Sequence, residues 1–184
     1  IWDIGGSRGG TPANPVFISN IATVGGEVHN VWWFHDPTTG GQQFVFVGQE
    51  GPATLFAAAS GDIHVVDIST ITAPREVAMY SLPNAGTHNF SVDESSGVLY
   101  AAYYNGGVRA LDIRGDPGSC TAAARLSDGR CDLRAAGREI GHALDQGNFI
   151  WGVQWVGDRL YASDMPHGLW TLDDGGGGTW VTAT

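Results

Sequence analysis

At 184 residues the chain carries nine Arg, no Lys, 19 acidic residues and a formal net charge of −10, a balance that argues against nucleic-acid and anionic-membrane partners. With 28 Gly, 10% aromatic and only 15% charged residues, many short strands and turns are favoured over long amphipathic helices. No apolar run reaches the ~18 residues that a membrane-spanning helix needs.

The first stretch, "IWDI" (1–4), reads as a strand ending at Asp3. It lacks the basic and apolar regions of a leader peptide, and a strand-like start without Met fits a processed or partial sequence. "PVFISNIATVGGEVHN" (15–30) is a linking strand. It leads into "VHNVWWFHDPTTGGQQFVFVGQEG" (28–51), two apolar strands around a polar turn. After an interruption at about 51–60, "GPATLFAAAS", a third strand "IHVVDIS" ends at Asp67.

The same plan then returns. "PREVAMYSLPNAGTHN" (74–89) repeats the link, and "THNFSVDESSGVLYAAYYNGGVRALDI" (87–113) repeats the three strands up to Asp112. A second interruption spans about 115–136, "GDPGSCTAAARLSDGRCDLRAA". "GREIGHALDQGNFIWG" (137–152) is the third link. "IWGVQWVGDRLYASDMPHGLWTLDD" (150–174) is the third set of strands, with its aspartate at Asp173, and "TWVTAT" (179–184) reads as a further fourth strand.

Shared offsets tie these segments together. Pro15 and Pro74 stand fourteen residues before His29 and His88, and Gly137 stands fourteen before Trp151. Tyr100 and Tyr161 fall on equivalent second-strand positions, with Phe44 or Phe46 as the first-unit counterpart. The 45-residue step from Asp67 to Asp112 matches one four-stranded propeller blade. The expected fold is therefore all-β: a β-propeller of four-stranded blades, about three and a half of them present in one domain over 1–184. Since propellers close with about four to eight blades, this is expected to be part of a larger ring, completed by a longer chain or by further copies of the chain.

At "HN" (29–30 and 88–89), "FVFVG", "LYAAYYNGG", "LYASD" and the closing "IHVVDIS", "VRALDI" and "LWTLD", the chain resembles the LVIVD-repeat family. Its members are bacterial β-propellers, often on secreted or surface-anchored proteins. The resemblance covers nearly the whole chain outside the two interruptions and speaks to fold more than to activity. It implies an extracellular, cell-surface or periplasmic location. With that location, Cys120 and Cys131, both inside the second interruption, are expected to form a disulfide; two free thiols or half a zinc site are the alternatives.

The candidate chemistry centres on histidines. His29 and His88 occupy equivalent places, and inner strands of a propeller line its channel, so the two could share a transition metal. The competing expectation is that each imidazole bonds backbone or carboxylate of a neighbouring blade. It is favoured by the lack of an HExxH-type spacing and by Trp151-Gly152 standing where the other units have His-Asn. The repeated Asp3, Asp67, Asp112 and Asp173 suit turn-capping hydrogen bonds rather than an acid cluster. The seven tryptophans, Trp32-Trp33 and Trp151 with Trp155 above all, suggest a carbohydrate platform, but alternation puts neighbours on opposite faces, so some of them are expected to pack between blades.

GxSxG, P-loop and dinucleotide fingerprints are all absent. Two function classes follow. One is a non-catalytic secreted or surface propeller that serves as scaffold or binding module for a protein or other surface ligand, without cofactor. The other is an enzyme or metal-binding propeller with its site at the channel mouth, near His29, His88, Glu50, Asp164 and Trp151.

Overall fold

The "FVFVG" and "LYAA" runs are continuously apolar rather than alternating, and both form strands that are buried on both faces or nearly so. The computed structural model describes residues 1–173, and over them the chain is all-β. "TWVTAT" lies outside the described residues. A short antiparallel pair, β1 (Trp2–Asp3) with β2 (Val16–Phe17), precedes three antiparallel meanders. The first comprises β3 (Val28–Trp33), β4 (Phe44–Gln49), β5 (Ile63–Asp67) and β6 (Arg75–Tyr80). The second runs β7 (Phe90–Asp93), β8 (Val98–Ala102) and β9 (Val108–Asp112), then adds β11 (Glu139–Ala143). The third contains β12 (Ile150–Val156), β13 (Arg159–Asp164) and β14 (Gly168–Leu172).

The register settles which positions are equivalent. Phe46 pairs with Val65, Tyr100 with Ala110 and Tyr161 with Thr171, each partner lying two residues before the closing aspartate. Phe46, not Phe44, is therefore the counterpart of the two tyrosines. Three of the closing aspartates cap turns as expected. Asp67 Oδ1 accepts from Ser69 N–H and Asp112 Oδ1 from Arg114 N–H, while Asp3 takes backbone N–H groups of Gly5, Gly6, Arg8 and Gly10.

The sheets stack face to face in chain order. Phe46, Ile63, Val65 and Tyr80 of the first meander pack on Leu99, Ala101, Tyr103 and Leu111 of the second. The opposite face of the second meander, with Tyr100, Ala102, Val108 and Ala110, packs on Ile150, Val153, Leu160 and Trp170 of the third. Because β8 alternates between these two cores, all of Leu99 to Ala102 are buried. Trp32 and Trp155 pack against the inter-sheet cores, Trp155 stacked on Tyr100 at 5.2 Å.

The interruptions are built into this stack. Residues 115–136 carry a 3₁₀ turn (Ala122–Ala124), the Cys120–Cys131 disulfide, and β10 (Cys131–Asp132), which pairs in parallel with β6 and covers that sheet edge. The loop at 51–60 reaches across to the segment that leads into the third meander, where Phe56 meets Phe149 edge-on at 5.9 Å.

Candidate functional site

Within the ladders Val31 pairs with Val47, Phe90 with Ala101 and Val153 with Ala162. Two residues upstream in each unit stand His29, His88 and Trp151, one position on three successive sheets. That position is a bulge. The pairing skips His29 between Val28 and Asn30, and skips Trp151 between Ile150 and Gly152. In the second unit, His88 N–H donates to the Ala102 carbonyl while Ala102 N–H donates to the Asn89 carbonyl, so two residues face one. A bulge releases its extra residue from the alternation of the pleat and re-aims the side chain.

The re-aimed side chains meet. Ring centroids of His29 and His88 lie 4.2 Å apart, and those of His88 and Trp151 5.4 Å. His88 Nδ1 is 2.7 Å from the Trp151 carbonyl, which can only accept, so Nδ1 carries the proton and Nε2 a lone pair. The Trp151 indole N–H donates to that lone pair. Burial lowers the His88 pKa. The Trp151 carbonyl and Glu50 pull it upward and His29 pulls it down, and the net shift is downward, so the ring is neutral at neutral pH.

A second layer lies against the first. Three residues beyond Val47, Ala101 and Ala162 stand Glu50, Tyr104 and Met165, again one repeated position. Glu50 Oε2 is 3.0 Å from His29 Nδ1, and Glu50 Oε1 is 3.8 Å from His88 Nε2. The Tyr104 hydroxyl donates to Glu50 Oε1. Burial, then the Glu50 carboxylate, raises the Tyr104 pKa far above its ordinary value and keeps it a donor. Tyr104 holds a left-handed φ of 40° and exchanges backbone hydrogen bonds with Ile150, which fixes its ring beside His88 and Phe149.

Of the five residues singled out in the sequence, the structure brings together His29, Glu50, His88 and Trp151. Asp164 is engaged elsewhere: its buried carboxylate accepts from Phe149 N–H at 2.8 Å and faces His167 Nδ1 at 2.7 Å. It holds the segment that presents Phe149 to Tyr104. Tyr104 was not singled out, although aligning "LYAAYY" with "FVFVGQE" places it level with Glu50. Trp151, read from sequence as a break in a histidine series, is the residue that orients His88. One donor atom each from His29, Glu50 and His88 lies within 4.8 Å of the others, the group able to hold a metal ion among the described residues. His35, His64 and His142 instead pair with Glu94, Glu76 and Glu139.

No protein-family model matches the chain, and no curated protein matches it.

Proposed function

We propose that the chain is an arc of a β-propeller with four-stranded blades, serving as a non-catalytic binding module outside the cytoplasm. Within that class it is read as an LVIVD-type repeat protein, on the strength of the blade motifs. The observation that carries the reading is the convergence of one repeat position. His29, His88 and Trp151 come from three successive sheets and stand in a row, ring against ring. Sheets wound about a common axis present the same position to that axis, whereas layers of a sandwich do not. Stacking of the sheets in chain order supports the same reading.

The disulfide favours an oxidising compartment. At the convergence the half-exposed Trp151 indole, with His29 and Glu50, offers an aromatic and hydrogen-bonding surface to a protein or other surface ligand. Screening the purified chain against cell-surface proteins and glycans tests this. The expected result is a partner whose affinity falls at least about tenfold with Trp151→Ala. Turnover of a substrate that is abolished by His88→Gln in a folded protein overturns the non-catalytic reading.

A further inference from the structure

We infer that His29, Glu50 and His88 bind one divalent transition-metal ion, with Trp151 as a displaceable cap on the site. The inference goes beyond the binding-module reading and does not rest on it, since three side chains carry it whatever the sheets bind.

The donor set decides the class of ion. Two imidazoles and one carboxylate suit zinc, copper, nickel or iron, whereas calcium and magnesium require mostly oxygen ligands, and here there is a single carboxylate. Three protein ligands leave a coordination position open, the donor count of reactive rather than structural zinc sites.

The surroundings orient these donors. A histidine ligand ordinarily donates its other ring N–H to a carbonyl or carboxylate, and His88 Nδ1–H does so to the Trp151 carbonyl, turning Nε2 toward Glu50. The Tyr104 hydroxyl holds Glu50 Oε1, which leaves Oε2 beside His29. The side chains of His29 and Glu50 are 33% and 35% exposed, so both can close the short distance to an ion by turning.

One contact opposes binding. The Trp151 indole N–H occupies the His88 Nε2 lone pair that the ion needs. Trp151 is 46% exposed, so it can swing outward without leaving a buried cavity. Metal binding and the indole contact are thus mutually exclusive, and this gives the inference a signature that adventitious surface binding lacks.

The test uses the tag-free full chain, stripped with chelator and titrated with Zn²⁺ by calorimetry, with circular dichroism to confirm folding of each variant. One Zn²⁺ per chain is expected, not displaced by excess Ca²⁺ or Mg²⁺. His29→Ala and Glu50→Gln should each weaken binding at least about tenfold. Trp151→Phe, which keeps an aromatic ring but removes the competing N–H, should tighten it by about two- to tenfold. No saturable uptake by the folded chain, or uptake that His29→Ala and Glu50→Gln leave unchanged, overturns the site. Zinc affinity that is unchanged or weaker in Trp151→Phe overturns the cap.

Discussion

Glu139 lies with its side chain 16% exposed between Arg109 Nη1, 2.8 Å from Oε1, and the Tyr80 hydroxyl, 2.8 Å from Oε2. Burial alone raises its pKa. Hydrogen bonds from Arg109 and Tyr80 outweigh burial and bring it below the ordinary value of 4.5. Glu76 shows the same balance: burial is overcome by His64, by the Val24 N–H and by Arg130. A depressed folded-state pKa stabilises the fold fully above the unfolded value, and the contribution is lost as pH falls through the folded one. Urea midpoints are therefore expected to drop as pH is lowered below about 4.5. In Glu139→Gln that acid dependence should be flatter, with a loss at pH 7 of about 1–3 kcal/mol from the broken buried pair. Equal slopes in the two proteins would sink the assignment.

For the elements, the second interruption is the informative case. The Cys120–Cys131 bridge closes a loop of sequence separation 11, and Arg130, next to Cys131, reaches Glu76 on β6. Closing a loop of that length contributes about 2–3 kcal/mol. Replacing both cysteines by serine should cost that much in urea unfolding, and dithiothreitol should lower the wild type to the same level. Hydrogen exchange at Ala78 and Met79, which pair with β10, should accelerate with it. A double-serine variant with an unchanged midpoint would count against this account.

The same element marks where sequence reading stops. The successive antiparallel meanders, their closing aspartates and the equivalence of His29, His88 and Trp151 were legible because strand patterning and turn chemistry are local signals repeated at fixed offsets. The parallel pairing of β10 was not, since two residues carry no period and its partner lies some fifty residues earlier. The indole–imidazole contact was also hidden. It depends on a bulge, and a bulge is a property of two paired strands rather than of either one.

On the scale of the whole molecule, the outer face of the first meander is only partly covered: Val47 and Val66 are buried, while Val31 and Trp33 at its edge strand are not. Val31, Trp33, Val45, Val47 and Val66, with Trp2 beside them, line an apolar cleft of about 570 Å³. Val31 and Trp33 are 63% and 49% exposed, in contrast to the doubly buried second meander. In a propeller this face is covered by a neighbouring sheet, and contiguous apolar surface of this kind drives association. The 184-residue chain is expected to self-associate with concentration in sedimentation velocity, and Val31→Asp to keep it monomeric without loss of fold. A wild-type chain that sediments as a monomer at every concentration would refute the idea.

The bulge has a consequence for how such an array diversifies. Its extra residue belongs to no ladder pair, so its identity is set neither by strand propensity nor by the facing strand. One unit can hold an imidazole there and the next an indole while Val31, Phe90 and Val153 keep the same register. Where the three sheets converge there is therefore a set of slots whose residue type the strand ladders do not dictate, and neighbouring slots set one another's hydrogen bonds.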